Sequence, residues 1–128
     1  MSSINLYCKM FVNLTQEYKE AEDIVALLSQ GQQAPFGAIH TIFAQIDFRR
    51  NDDYKTPIEL RSGDPNNSFL YWKYFLDIEP NDETETATYI SGISNLLQAF
   101  WEKGIDAIAA CDFEDELPAK EEKIESLV

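Results

Sequence analysis

Residues 69–78 decide the fold, and they read Phe-Leu-Tyr-Trp-Lys-Tyr-Phe-Leu-Asp-Ile. Their alternate side chains form two sets, one starting at Phe69 and one at Leu70. This period of two predicts a β-strand, because successive residues of a strand point to opposite faces of the sheet. Both sets are rich in aromatic and aliphatic groups. That composition favours a central strand, or a strand whose second face meets a partner.

The other elements follow from the same two periods. Residues 4–14 alternate as a strand, whereas from Thr15 to Gly31 apolar residues recur every three to four positions, which predicts an amphipathic helix. We further predict strand two over 36–50, a long loop over 51–68, strand three over 69–78, a helix over 84–103 ending at Gly104, and strand four over 105–113. The predicted apolar stripe of the first helix contains Tyr18, Ala21, Val25 and Leu28, widened by Ile24 and Leu27, and the predicted inner face of strand two contains Ile42, Ala44, Ile46 and Phe48.

The resulting order is β-α-β-β-α-β, which predicts an α+β fold of the ferredoxin-like type. In this fold two helices cover one face of a four-stranded antiparallel sheet. Right-handed connections place strands one and three side by side, with strand four beside strand one. Cys8 and Cys111 then lie on neighbouring strands; we expect two reduced, buried thiols, with a disulfide as the alternative. Residues 1–118 are predicted to form one domain, and residues 119–128 a charged C-terminal tail.

The chain is strongly acidic. Its 128 residues carry 23 Asp and Glu against 10 Lys and Arg, which gives a formal net charge of -13. Because binding to phosphates needs clustered cations, this balance argues against direct binding to nucleic acid or to an anionic membrane, and any large partner should be basic. No apolar run approaches the roughly 20 residues that span a bilayer, and the first residues do not resemble a secretory signal. We therefore expect a cytoplasmic protein.

Catalytic and cofactor-binding motifs find little support. His40 is the only histidine and lies in an apolar strand, without a nucleophile signature around either cysteine. The five glycines are scattered and form no phosphate-binding loop, and no cofactor is expected. A loose Mg²⁺ or Ca²⁺ site and a hydrolase with paired carboxylates remain as alternatives, although the acidic stretches do not match a calcium loop.

Two groups of acids follow predicted strands. The first lies at the end of strand three and before the second helix, where acids can also cap the helix and interact with its dipole. The second follows strand four, where neighbouring like charges have no such local explanation. An anionic surface of this kind favours encounter with a basic protein, and Tyr71 is an aromatic candidate for apolar contact. The predicted partner-binding residues are Tyr71, Asp77, Glu79, Asp82, Asp112, Glu114, Asp115 and Glu116.

A family resemblance is carried by three stretches of the chain. These are Phe69-Leu-Tyr-Trp-Lys-Tyr-Phe-Leu-Asp-Ile-Glu-Pro80, Leu96-Leu-Gln-Ala-Phe-Trp-Glu-Lys-Gly104 and Ala109-Ala-Cys-Asp-Phe-Glu-Asp-Glu-Leu-Pro118. Together they resemble the small acidic immunity proteins of bacterial polymorphic toxin and contact-dependent growth inhibition systems. The resemblance implies a cytoplasmic protein without enzyme activity that binds and blocks a toxin domain delivered by neighbouring cells, commonly a nuclease with a basic active site.

The predicted function is therefore that of an immunity protein, which inhibits a cognate cationic toxin by covering its active site. Two alternatives from other classes remain. One is a small regulatory or ligand-binding ferredoxin-like module, because such sheets often bind effectors or pair as dimers. The other is the carboxylate-dependent hydrolase.

Overall fold

The structure is a computed structural model that describes residues 5–119. Within this range the chain forms six β-strands and two α-helices, joined by turns and short 3-10 segments. The strands and helices are β1 (Cys8–Val12), α1 (Tyr18–Ser29), β2 (Gln32–Gln33), β3 (Ala38–His40), β4 (Ala44–Arg50), β5 (Tyr74–Pro80), α2 (Thr86–Glu102) and β6 (Ala107–Cys111). Apart from Ala119, the predicted charged tail lies outside the described residues.

The strands form one antiparallel sheet in the order β2-β3-β4-β5-β1-β6. The predicted α+β class is confirmed. The central strand β1 pairs with β5 on one side, Cys8 opposite Ile78, and with β6 on the other, Cys8 opposite Cys111. These are the pairings predicted for strands one, three and four. The expectation of four strands is wrong, because the sheet contains six within the described part of the chain.

The main core lies between the sheet and the two helices. Alternate residues of the central strands are fully buried there, for example Met10, Ile46 and Leu76. Helix α2 contributes Ile93 and Phe100 among others. This alternation leaves the residues between them on the opposite, open face of the sheet. No helix among the described residues is long and apolar enough to cross a membrane.

The predicted strand two is a hairpin. Thr41 interrupts it: its hydroxyl donates to the carbonyl of Ala44 (2.8 Å) and accepts from the amide of Ala44 (2.9 Å), which closes a tight turn between β3 and β4. As a result, Ile42 points away from the core and is 95% exposed, whereas Phe43 is buried. The period of two continues through this turn in the sequence, so alternation alone did not reveal it.

The predicted strand three begins too early. Residues Pro65–Tyr71 form a 3-10 segment, and the strand itself starts at Tyr74. Phe69 packs edge-on against Phe11 with ring centroids 5.1 Å apart, so this segment covers one end of the open face of the sheet. Leu70 and Trp72 therefore do not belong to the inner face of a strand.

Helix α1 is shorter than predicted and its apolar stripe is narrower. Leu27 is 75% exposed, whereas Glu22 is buried. The left-handed residue that ends the helix is Gln30, with φ 57°, rather than Gly31. The end of α2 agrees with the prediction, since Gly104 has φ 75° and its amide donates to the carbonyl of Trp101 (2.9 Å).

Asn51 holds the long connection between β4 and β5. Its buried side-chain amide donates to the carbonyls of Leu70 (2.9 Å) and Trp72 (2.7 Å), and its side-chain oxygen accepts from the amide of Asp53 (3.1 Å).

Replacing Asn51 with Asp keeps the shape of the side chain but removes both N–H donors and places a carboxylate against two carbonyls. We expect the free energy of unfolding to fall by about 2–3 kcal/mol, measured by urea denaturation. A change below about 0.5 kcal/mol, the range typical of surface substitutions, would contradict this role.

Candidate functional site

The sheet topology brings both predicted groups of acids to one end of the molecule. Strands β5 and β6 run in the same direction, because each is antiparallel to β1 between them. Ile78, Cys8 and Cys111 therefore stand in one row across three strands. Two strand spacings, roughly 10 Å, separate the end of β5 from the end of β6. We call this part of the molecule the acidic end.

A cavity of about 540 Å³ opens at the acidic end. Its lining includes four carboxylates, Asp47, Asp77, Glu79 and Asp82, together with Tyr7, Gln45, Pro80 and Asn81. We call it the acidic pocket. Three of its carboxylates are predicted site residues; Asp47 is an addition. Asp77 is half-buried, whereas Glu79 and Asp82 are exposed.

Two of these carboxylates face each other directly across strands. Asp47 on β4 is paired with Asp77 on β5, an arrangement of like charges that destabilises a sheet unless it is compensated. Arg49 supplies the compensation: its guanidinium lies 3.7 Å from an oxygen of Asp47 and 3.6 Å from an oxygen of Asp77. The hydroxyl of Tyr7 also donates to Asp77. These contacts fix the floor of the acidic pocket.

The rim of the acidic pocket carries uncompensated charge. Glu79 and Asp82 are exposed, and none of the described salt bridges involves either residue. Asn81 fixes the turn between them, since its side-chain amide donates to the carbonyl of Thr41 (2.9 Å). The pocket thus combines a floor whose two carboxylates share one guanidinium with an anionic rim that can receive a cation.

The second group of acids forms a turn directly after β6. Phe113 is 2% exposed and packs against the ring of Tyr89, with centroids 5.8 Å apart. This one aromatic anchors the turn to the core, while its four acidic neighbours remain exposed. We call these neighbours, Asp112, Glu114, Asp115 and Glu116, the acidic turn.

Glu114 differs from the other members of the acidic turn because it has a structural partner. Its carboxylate accepts the amide of Cys111 (3.2 Å). At the other end of the same edge strand, the indole of Trp101 donates to the carbonyl of Ala107 (3.1 Å). Side chains thus form hydrogen bonds with outward-facing backbone groups of β6. These bonds protect the edge strand against pairing with another chain.

The acids before α2 do not cap it through their side chains. Glu85 occupies the N-cap position and makes no side-chain capping hydrogen bond, and the first turn contains no acidic residue. The predicted cap is therefore absent there. Proximity of Glu83 and Glu85 to the positive end of the helix dipole remains favourable.

Tyr71 is not part of the acidic end. It precedes the start of β5, whereas the acids follow the end of that strand, roughly 20 Å away along its seven residues. Its hydroxyl accepts the amide of Ser62 (2.9 Å), and the guanidinium of Arg61 lies 5.1 Å from its ring centroid. Further cations, Arg50, Lys55 and Lys73, lie near this opposite end. The structure therefore separates Tyr71 from the other predicted site residues.

Burial raises several pKa values at the acidic end. The Tyr7 pKa is raised by desolvation and by its hydrogen bond to Asp77, the Cys8 pKa by desolvation and by nearby Cys111, and the Tyr89 pKa mainly by desolvation. Each group keeps its proton in the folded state at a pH where the unfolded chain has lost it. Stability is therefore fully present below the unfolded pKa values and is lost as the pH rises above them.

We expect the free energy of unfolding to decrease from about pH 9, the ordinary pKa of a Cys thiol being 9.0. Each proton retained only by the folded state contributes a slope of about 1.4 kcal/mol per pH unit. Urea denaturation at a series of pH values from neutral to about 10.5 measures the free energy of unfolding. The upper limit lies just above the ordinary pKa of Tyr. The Cys8→Ala variant should show a smaller slope from about pH 9, and the remainder of that early slope belongs to Cys111, whose pKa is also raised by burial. An unchanged slope in that variant would contradict the assignment to Cys8.

The acidic end is suited to recognise cations by exposed carboxylates. Among residues 5–119, no three His, Cys, Asp or Glu side chains are placed to hold a metal ion together. His40 is exposed at the end of β3 and stands in one cross-strand row with Gln45 and Glu79, two strand spacings or roughly 10 Å from Glu79. The chain matches no protein-family model, no curated protein and no solved structure.

Proposed function

We propose that this chain is a cytoplasmic immunity protein, which binds a cognate cationic toxin domain, a nuclease in the simplest case, and blocks its active site. The observation that carries the proposal is the convergence of the acidic pocket and the acidic turn on one end of the sheet. A nuclease cleft that binds phosphates is lined by Lys and Arg. An anionic surface would compete with the nucleic acid for those side chains.

The exposure of the acids supports recognition rather than catalysis. Glu79, Asp82, Asp115 and Glu116 are all solvent-exposed. A carboxylic acid that transfers protons near neutral pH needs a desolvated environment that raises its pKa. Exposed carboxylates instead accelerate the encounter with a basic protein through long-range attraction.

The charge is also less balanced at the acidic end than at the opposite end, where the exposed acids Asp52 and Asp53 lie near Lys55 and other cations. Arg50 pairs with Tyr74 at the start of β5, and Lys73 immediately precedes that strand, so these cations lie at the end opposite to the acids. An asymmetric charge distribution orients a partner as well as attracting it. This supports a single docking orientation in which the acidic end faces the toxin.

For the fold, we propose that β1, β4, β5 and β6 with the two helices form a ferredoxin-like unit, to which β2 and β3 are added beyond β4. The support is the order β4-β5-β1-β6 within the sheet. In this unit the ends of β5 and β6 lie on either side of the start of β1. The insertion lengthens the sheet on the side away from the acidic turn.

A ligand-binding module is the second candidate, and one groove favours it. The groove has a volume of about 400 Å³ and is lined by Trp72, Leu97, Trp101, Ile108, Leu117 and Pro118 among others. This size and apolar character suit a small molecule. A ligand of this groove would raise the melting temperature of the isolated chain in a thermal-shift screen, whereas an immunity protein without its toxin gives no response to small molecules.

Growth rescue tests the primary proposal. The toxin domain encoded by the open reading frame beside the gene for this chain is expressed in cells with and without the chain. We expect growth to stop with the toxin alone and to resume when both are present. Continued growth arrest despite expression of the folded chain, or the lack of a toxic neighbour, would contradict the proposed function.

A further inference from the structure

Cys8 and Cys111 stand directly opposite each other on the neighbouring strands β1 and β6. Directly opposite residues of an antiparallel pair have their side chains on the same face of the sheet. Both thiols are free, and Cys8 is completely buried while Cys111 is half-buried. One thiol of the pair is therefore accessible and the other is protected.

The hydrogen bonds of β6 define which kind of cross-strand pair this is. The amide of Cys111 donates outward to Glu114, and the carbonyl of Ala107 accepts outward from Trp101, so neither group is bonded to β1. In contrast, the carbonyl of Asp106 accepts from the amide of Asn13 on the side of β1 (2.9 Å). Since inward and outward residues alternate, Cys8 and Cys111 form a non-hydrogen-bonded pair.

Non-hydrogen-bonded pairs are the positions at which two neighbouring strands lie closest together. Their Cα atoms are typically about 4.5 Å apart, compared with about 5.5 Å in hydrogen-bonded pairs. Disulfides span Cα separations of roughly 4.4–6.8 Å. The register therefore places the two sulfur atoms within reach of each other without a change in strand pairing.

We propose that Cys8 and Cys111 are a redox modification site that a low-molecular-weight disulfide such as oxidised glutathione converts into an intramolecular disulfide. In the first step the accessible Cys111 thiolate attacks one sulfur of the reagent and releases one glutathione thiolate. In the second step the Cys8 thiol gives up its proton as its sulfur attacks the Cys111 sulfur of the mixed disulfide, which releases the second glutathione thiolate. Two electrons pass from the protein to glutathione, and the two protein protons end on the released thiols.

The new bond would join the edge strand β6 to the centre of the sheet. It would also tie the start of the acidic turn to β1, since Asp112 follows Cys111 directly. The ring closed by the bond contains most of the chain, which reduces the freedom of the unfolded state. We expect the melting temperature to rise by roughly 5–15 °C on oxidation.

Mass spectrometry of the full chain under native conditions tests this inference. After incubation with oxidised glutathione at about pH 8, we expect loss of both thiols and a mass decrease of about 2 Da per monomer. The Cys8→Ala variant should stop at the mixed disulfide on Cys111. The Cys111→Ala variant should not react, because Cys8 is buried.

Three results would overturn the inference. They are a stable glutathione adduct on Cys111 in the chain that has both cysteines, formation of dimers linked through cysteine, and retention of both free thiols. A circular dichroism spectrum of each variant shows that it is folded. The inference is independent of the proposed function, since no toxin is used in the experiment.

Discussion

Replacing both Asp115 and Glu116 with Lys is expected to lower the association rate constant with the toxin domain by roughly 10- to 100-fold at low ionic strength. Both residues are exposed members of the acidic turn, and none of the described hydrogen bonds or salt bridges uses their side chains, so the fold should be unaffected. The variant reverses two charges where the cationic partner is proposed to approach. Stopped-flow or surface-based kinetics at two salt concentrations measure the effect, which should diminish as salt screens the attraction.

A matched control separates local charge from net charge. Replacing Asp52 and Asp53 with Lys changes the total charge by the same amount, but these exposed residues follow β4 at the opposite end of the sheet. We expect this control to change the rate constant by less than about threefold, because its charges lie beyond a Debye length of roughly 10 Å from the acidic turn. Equal effects of the two variants would show that recognition does not involve the acidic turn.

Replacing Phe113 with Ala is expected to lower the free energy of unfolding by about 3–5 kcal/mol. The ring is 2% exposed and is the one aromatic group that connects the acidic turn to Tyr89. Its loss removes buried apolar area and leaves a cavity. Urea denaturation measures the change, and we expect slower toxin association even under conditions where the variant remains folded, because the acidic turn loses its fixed position.

Phe113→Leu is the control for this effect. A leucine retains most of the buried volume, so the cost should be clearly smaller than that of alanine. If Phe113→Ala costs less than about 1 kcal/mol, far below the usual range for such truncations, the ring does not anchor the turn. If association is unchanged in the folded alanine variant, the position of the acidic turn does not matter for binding.

Sequence periodicity located the central strands but predicted their limits poorly, whereas the pairing of β1 with β5 and β6 was predicted from the element order and right-handed connections. The strands that hold the core, such as β1 and β5, alternate because one of their faces is buried against helices. Alternation failed at Ile42, where a turn closed by the Thr41 hydroxyl continues the same pattern. It failed again at Phe69, whose ring packs against Phe11 from a 3-10 segment rather than from a strand. In both cases apolar residues do alternate in the sequence, but they serve a turn or a tertiary contact and do not form a continuous strand.

The acidic end was predicted in part because strand direction follows from topology. Acids after β5 and after β6 must meet if both strands flank β1 and run the same way. Asp47 was not predicted, because its position depends on the register between β4 and β5. Tyr7 and Arg49 were not predicted either; they bind the carboxylates of the pocket floor through cross-strand contacts. The alternation of Gln45, Asp47 and Arg49 opposite the buried residues of β4 was the available signal.

Tyr71 shows the limit of reading aromatic residues as contact anchors. In the sequence it was an aromatic candidate for apolar contact beside the acids of an anionic surface. In the folded chain its hydroxyl binds the amide of Ser62, and its ring meets Arg61, so it organises the loop before β5. Distinguishing these roles requires the path of the loop, which local sequence patterns do not provide.

Amide hydrogen exchange of the chain with and without its toxin tests the central claim most directly. We predict that binding protects the backbone of residues 79–82 and 112–116, since both segments lie at the acidic end. Protection restricted to the opposite end, around residues 52–62, with both acidic segments exchanging as in the free chain, would contradict the proposal that carboxylates at this end dock the cationic partner.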